Sequence, residues 1–65
     1  MIAVRYEGQG AFESETNPGQ YDAPVWDHTL EMSCVTVSAY LQTMAEDCAR
    51  ELAASLNAGR IRVVS

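Results

Sequence analysis

Few side chains in this sequence could take part in catalysis, and they lie close together along the chain. His28 is the one histidine, Asp27 precedes it, and Cys34 follows six positions later. A cysteine nucleophile needs a base within hydrogen-bonding distance. If residues 28 to 37 form one continuous strand, His28 and Cys34 lie about 20 Å apart at a rise of about 3.3 Å per residue. The spacing argues against a cysteine–histidine pair and predicts that His28 is a polar residue at the start of a strand.

The sequence also lacks the patterns that bind metals and nucleotides. It has no CxxC, HxxxH or calcium-loop spacing. The "GQG" at residues 8 to 10 lacks the third glycine and the following helix of a phosphate-binding loop. A chain of 65 residues rarely encloses the pocket, on the order of several hundred Å³, that a small-molecule enzyme uses. We therefore predict a protein that is not an enzyme and that binds no cofactor or metal.

The charge of the chain is unevenly distributed. There are nine acidic residues, four arginines and no lysine, with a net charge of −5. Residues 6 to 49 hold eight of the acids and no arginine. Such a field repels nucleic acids and membrane surfaces and attracts basic partners. We expect no direct nucleic-acid binding and no membrane binding, although acidic residues also serve simply to keep a small protein soluble.

The N-terminal residues and the cysteines predict a compartment. Arg5 comes too early for the apolar region of a signal peptide, and no run approaches the roughly 20 apolar residues that span a bilayer. The sequence therefore predicts a cytoplasmic protein in which Cys34 and Cys48 are thiols packed among apolar neighbours. A disulfide between the two cysteines is the alternative.

Alternating apolar residues predict strands over residues 1–7, 28–37 and 60–65. The "NPGQ" at residues 17 to 20 predicts a type II turn in which Gly19 supplies the positive φ. Residues 11 to 27 form either a short irregular hairpin around this turn or a long loop pinned to the sheet by its aromatic residues. Pro24 is expected to confine its segment to a sheet edge or to non-strand backbone.

The best-defined element is a helix between Ser38 and Gly59. Ser38 or Thr36 is expected to cap its start, and Gly59 has the place of a left-handed residue at its end. Glu46 precedes Arg50 by four positions, the favourable order for an ion pair on a helix. The apolar side chains fall in one arc about half a turn wide, made of Tyr40, Leu41, Met44, Ala45, Cys48, Leu52 and Leu56.

This order of elements predicts one α+β domain spanning residues 1–65. One amphipathic helix must bury its apolar stripe, and the strands offer one apolar face for it. The expected architecture is a small two-layer domain, in which an antiparallel sheet of three or more strands packs against one long helix. Its element order is β, loop or hairpin, β, α, β.

The acidic segment contains the candidate residues for binding a partner. In an extended arm, Glu13 and Glu15 project to the same side, about 6.6 Å apart by the strand rise. Glu46 and Asp47 form a second acidic site on the outer face of the helix. Trp26 is either an interface anchor or a main side chain of the core. The full candidate set is Glu13, Glu15, Asp22, Trp26, Asp27, Glu31, Glu46 and Asp47.

In whole-chain character the sequence resembles the small acidic anti-CRISPR proteins of phages and mobile elements. The resemblance is carried by "AFESETNPGQYDAPVWDHTLE", by the single helix containing "MAEDCAREL" and by the lysine-free length of 65 residues. These families share no diagnostic motif. The resemblance implies a stoichiometric, non-enzymatic inhibitor of a type I CRISPR surveillance complex, with type I-C as the candidate subtype. Its carboxylates would occupy a basic DNA-binding channel in place of phosphates.

A second interpretation is a small dimeric phage accessory or regulatory domain without DNA mimicry. In that case "MIAVRYE" or "RIRVVS" would supply an edge strand that pairs with a second copy of the chain. A homodimer is therefore among the expected partners, beside a basic protein surface.

Overall fold

The computed structural model describes residues 4–63, which form four strands and one helix. The elements are β1 (Tyr6–Gly8), β2 (Phe12–Glu13), β3 (Tyr21–Asp27), β4 (Met32–Ala39) and α1 (Gln42–Asn57). β3 lies in the middle of an antiparallel sheet, with β1 and β2 along one side and β4 along the other. α1 packs on one face of this sheet. The predicted small α+β domain is confirmed.

The turn at residues 17 to 20 joins β2 to β3, as predicted. Gly19 has a φ of 86°, the left-handed conformation that the third position of a type II turn requires. The backbone N–H of Gln20 donates to the carbonyl of Asn17 at 3.1 Å. Since β2 pairs with the start of β3, this segment is a hairpin rather than a long loop.

Pro24 lies in the central strand, so the expectation of an edge or non-strand position was wrong. Its carbonyl accepts the N–H of Gln9 at 2.8 Å, and the proline nitrogen, which has no hydrogen to donate, faces the same side of the strand. That side faces the break between β1 and β2 at residues 9 to 11. The ladder with β1 ends here, so the missing N–H costs only the reciprocal bond to the Gln9 carbonyl.

The second main strand starts four residues later than predicted, because residues 28 to 31 form a turn. The carboxylate of Asp27 accepts the N–H groups of Thr29 at 2.9 Å and Leu30 at 3.3 Å, which holds the chain in this reversal. Glu31 completes the turn with a φ of 56°. The strand then continues to Ala39, two residues beyond its predicted end.

The start of the helix also differs from the prediction. Ser38 and Thr36 belong to β4, so neither of them caps α1. The N-cap residue is Leu41, and its side chain makes no capping hydrogen bond. Instead, the first turn is fixed to the sheet by Gln42, whose Nε2 donates to the carbonyl of Ala11 at 3.0 Å.

The helix ends as the sequence indicates, with Gly59 at a φ of 75°. The N–H of Gly59 donates to the carbonyl of Leu56 at 3.2 Å, and the N–H of Arg60 donates to that of Ser55 at 3.0 Å. This bond pair is the Schellman motif. Residues 60–63 form no strand, so the predicted C-terminal strand is absent from the described residues, and residues 64–65 lie outside them. Of the predicted first strand, residues 1–3 also lie outside them.

The core is built from small side chains because β1 lies very close to α1. A Cβ atom at Gly8 would lie 2.8 Å from the backbone nitrogen of Arg50 and 2.9 Å from the carbonyl carbon of Ala49. Leucine or methionine does not fit between two backbones at this separation. The buried apolar residues are Ala11, Ala23, Val25, Ala45, Ala49, Ala53 and Leu56.

The predicted apolar arc of the helix is therefore only half right. Ala45 and Leu56 are buried and Leu52 is partly buried. Leu41 is 59% exposed and Met44 is 50% exposed, and Tyr40 and Cys48 are also exposed. The close approach to β1 rotates the helix so that an alanine stripe faces the sheet, and the larger side chains lie on its flank.

The opposite, polar flank of α1 closes one edge of the sheet. Asn57 accepts the N–H of Tyr6 at 2.8 Å and donates its Nδ2 to the Tyr6 carbonyl at 2.9 Å. Glu46 accepts the N–H of Ala11 at 3.0 Å, and Gln42 bonds the Ala11 carbonyl as described above. These bonds satisfy groups along the β1–β2 edge that a further strand would otherwise take.

Candidate interaction surface

One face of the sheet is not covered by α1. Along β3 the residues at 23, 25 and 27 are buried, whereas those at 22, 24 and 26 are only partly buried. Successive strand residues point to opposite faces, and directly paired residues share a face. The outer sheet face consists of Glu7, Phe12, Asp22, Pro24, Trp26, Ser33, Thr36 and Ser38. These positions hold two aromatic side chains and two carboxylates, and no lysine or arginine.

Phe12 and Trp26 are the large apolar side chains of the outer sheet face. Phe12 is 53% exposed and lies opposite Asp22. Trp26 is partly buried and lies opposite Glu7. Because the same alternation buries Val25, Trp26 is directed away from the helix and is not a core residue. Aromatic side chains beside polar ones are typical of protein-binding surfaces, where tryptophan is enriched among the residues that dominate affinity.

The two carboxylates on this face are oriented by neighbouring side chains. Asp22 Oδ1 accepts a hydrogen bond from the Ser38 hydroxyl at 2.6 Å. Glu7 Oε1 lies 2.9 Å from His28 Nε2. Each contact uses one carboxylate oxygen, and an ionised carboxylate has capacity for several further donors. The outer sheet face therefore presents fixed acceptors beside exposed aromatic surface.

Three of the predicted acids lie around this face rather than on it. Glu13 lies opposite Tyr21, on the helix side of the sheet. Glu15 lies in a bend after β2, so these two acids do not project side by side from one extended arm. Glu31 is in the turn at the opposite end of β3. The length of this strand, at about 3.3 Å per residue, separates Glu31 from Glu13 and Glu15 by about 20 Å. All three are exposed, and they form two separate groups.

Asp27 lies in the interior and not on the acidic surface. Its residue is 1% exposed. Arg5 donates from Nε to Oδ1 at 3.1 Å and from an Nη to Oδ2 at 3.2 Å. Hydrogen bonding from Arg5 is the main reason that the pKa of Asp27 is lowered; burial opposes this effect, and the N–H groups of Thr29 and Leu30 reinforce it. The same hydrogen bond raises the pKa of Arg5. Asp27 therefore stabilises the fold and is not available to a partner.

The acids on the helix are also largely occupied by contacts within the chain. Glu46 is partly buried and accepts the backbone N–H of Ala11. The predicted pair of Glu46 with Arg50 was wrong, because Arg50 bonds Asp47 instead. Asp47 remains exposed beside that arginine. A partly neutralised pair on a helix is a weak candidate for binding a basic partner.

The described residues offer little for catalysis. Within residues 4–63, no three His, Cys, Asp or Glu side chains are placed to hold a metal ion. His28 lies in a turn with its ring bonded to Glu7, whereas Cys34 packs against the core. A cleft of about 550 Å³ lies between the first and last described segments. Its lining includes Arg5, Tyr6 and Arg62 but no carboxylate, imidazole or thiol that could act as a base or nucleophile.

Comparisons of the chain with protein-family models, with curated proteins and with solved structures found no match. No helix within residues 4–63 has the length and apolar character needed to cross a bilayer.

Sequence reasoning identified Asp22 and Trp26 on the outer sheet face but missed Glu7 and Phe12. The alternation of residues 12 to 16 was visible in the sequence, yet only the strand register shows that Phe12 faces away from the helix.

Proposed function

We propose that this protein is a non-enzymatic inhibitor that binds a basic protein surface through its outer sheet face and the neighbouring bend that holds Glu15. The observation that carries the proposal is the uncovered face on which Phe12 and Trp26 lie beside Glu7 and Asp22, without a basic residue. Aromatic side chains supply contact area there, and the carboxylates supply charge complementarity.

The partner that the resemblance implies is a subunit of a type I CRISPR surveillance complex, with type I-C as the candidate subtype. A channel that holds DNA is lined with lysine and arginine. Carboxylates on a rigid strand and in the neighbouring bend would take the place of phosphates in that channel. The protein would then act in the cytoplasm of an infected bacterium, one copy for each channel that it blocks, without forming or breaking a covalent bond.

A substitution pair matched in charge tests the acidic part of the proposal. Glu7→Gln on the outer sheet face with Glu15→Gln in the bend raises the net charge by two, and so does Glu51→Lys on the exposed side of the helix. We expect the double variant to bind a purified type I-C complex about 10-fold more weakly at low salt, and Glu51→Lys to bind like the unchanged protein. Titration of DNA binding by the complex measures both affinities. Equal losses in the two variants would show that net charge alone acts.

Phe12→Ala tests the apolar part. Phe12 is 53% exposed and is not one of the core residues or of those packed on the core, so thermal unfolding should change little. We expect affinity for the complex to fall about 10- to 100-fold, the range of an aromatic residue at the centre of an interface.

If the unchanged protein, in stoichiometric excess, leaves DNA binding by the complex intact, this partner is excluded.

A further inference from the structure

The two edge strands of the sheet differ in whether their outward backbone groups are hydrogen bonded. Polar side chains of α1 bond the backbone along the β1–β2 edge. β4 pairs only with β3, and within residues 4–63 its other side accepts and donates no backbone hydrogen bond. Because Gln9 bonds Pro24, the residues of β3 that bond β4 are those at odd positions, opposite Val35 and Val37. The N–H and C=O groups of Thr36 and Ser38 therefore point outward.

The apolar flank of α1 lies on the same side as this open edge. At 100° per residue, Leu41, Met44 and Cys48 occupy the flank opposite that of Glu46 and Asn57. All three are exposed. On β4 the inward residues Cys34 and Val37 are only partly buried, whereas the inward residues Ala23 and Val25 of β3 are fully buried. An apolar strip therefore runs from β4 onto the helix without a covering element among the described residues.

This strip is also the uncharged part of the chain. Residues 32 to 45 contain no Asp, Glu, Lys or Arg, in a protein of net charge −5. Neither a basic nor an acidic partner gains from charge there. A second copy of the chain supplies a matching uncharged strip. Pairing the two strips leaves the acids of each copy outside the contact, where repulsion between them is screened by salt.

The exposed side chains of the strip supply part of a dimer interface. Met32 is 54% exposed, Leu41 59% and Met44 50%. Taking about 200 Å² for a large side chain, these three expose on the order of 300 Å². Burying this area on both copies gives about 650 Å², and Cys48 and the paired strand backbones add to it toward the roughly 1,000 Å² of a specific interface.

We propose that two copies of this chain associate by antiparallel pairing of β4 with β4 about a two-fold axis. The outward groups of Thr36 and Ser38 form the new ladder, and the apolar flanks of both helices lie on one side of the joined sheet, above the paired strands. A two-fold axis makes the contact isologous, so each copy uses the same surface. The inference goes beyond the proposed function and does not depend on it.

Sedimentation equilibrium of variants matched in charge tests the dimer. Leu41→Glu with Met44→Glu adds two charges to the apolar flank, and Thr43→Glu with Ala54→Glu adds two to the exposed opposite flank. We expect twice the mass of 7.1 kDa for the unchanged protein and the control, and a dissociation constant raised at least about 100-fold for the flank variant, with unchanged circular dichroism. A monomer at millimolar concentration overturns the proposal, as does equal dissociation of both variants.

Amide exchange distinguishes strand pairing from other contacts. In the dimer, the N–H groups of Thr36 and Ser38 are bonded to the second copy and should exchange at least about 10-fold more slowly than in the flank variant. The N–H groups of Val35 and Val37, bonded to β3 in either state, provide the internal reference. A dimer in which Thr36 and Ser38 exchange as fast as in the monomer overturns the proposed pairing.

Discussion

Asp27→Asn is expected to cause the largest loss of stability among substitutions of the nine acidic residues. The carboxylate accepts four hydrogen bonds, two from Arg5 and one each from the N–H groups of Thr29 and Leu30. An amide cannot replace both oxygens, because its NH₂ group would meet a donor. We expect the midpoint of thermal unfolding to fall by on the order of 10 °C.

The loss should depend on pH in a defined direction. The folded-state pKa of Asp27 is lowered from its ordinary value of 3.8. A group of this kind contributes its full stabilisation above the ordinary pKa and loses it as the pH falls through the lowered value. The unchanged protein should therefore approach the variant in stability below about pH 4. Urea unfolding at pH 7 and at decreasing pH below 4 measures the difference.

Glu15→Gln provides the control for Asp27→Asn. Glu15 is exposed, and no hydrogen bond within residues 4–63 involves its carboxylate, so its replacement should change stability by less than about 0.5 kcal/mol. If Asp27→Asn and the unchanged protein differ as much at pH 2 as at pH 7, the ionised form of Asp27 does not stabilise the fold.

Gly8→Ala is expected to have the second largest effect. The added methyl group would lie within 3 Å of the backbone of α1 at Ala49 and Arg50, and backbone atoms cannot move aside as a flexible side chain can. Either β1 separates from the helix or the helix shifts across its alanine stripe. Overpacking of this kind costs about 1–3 kcal/mol. Urea unfolding at neutral pH measures the change.

Gly10→Ala is the matched comparison, two residues further along the same edge. Its added methyl group would lie 3.6 Å from Glu46 Oε2, an ordinary contact. Because alanine also restricts the unfolded chain, Gly10→Ala should leave stability unchanged or raise it by up to about 1 kcal/mol. Equal stability of the two variants would mean that β1 and α1 lie further apart than described.

The local signals in the sequence predicted the elements whose cause is local. The turn at "NPGQ" and the left-handed Gly59 follow from residues within four positions of each other, and both are present. The helix and the α+β class follow from periodicity. The hairpin between residues 12 and 27 remained one of two alternatives because neither arm is long or strongly apolar.

The sequence could not predict features that depend on contacts between distant residues. The end of β3 is fixed by Asp27 and Arg5, which are 22 positions apart. The face that α1 buries is set by the missing side chain at Gly8. The hydrophobicity pattern does not contain this contact, so it wrongly predicted that Leu41 and Met44 are buried. Pro24 in a central strand requires a break in a neighbouring strand, which only the register reveals.

Contacts between distant residues also determine which of the predicted site residues are accessible to a partner. Hydrophobicity and charge identified the acidic residues but not which of them the fold uses internally. Asp27 is buried and Glu46 is partly buried, and each bonds groups on another element. Of the predicted set, all but Asp27 remain accessible in part or in full, but Glu46 and Asp47 already bond other groups of the chain.

The side chains of Asn57, Glu46 and Gln42 along the β1–β2 edge also limit how large an assembly can become. An unblocked strand edge is a template for polymerisation, and a sheet with two such edges can extend into a fibre. This sheet can accept a neighbouring strand at β4 but not beside β1, where the amide of Asn57 already holds both backbone groups of Tyr6. Growth by strand addition therefore stops after a single step. Loss of Asn57 would free the backbone groups of Tyr6 and open that part of the second edge to a further strand.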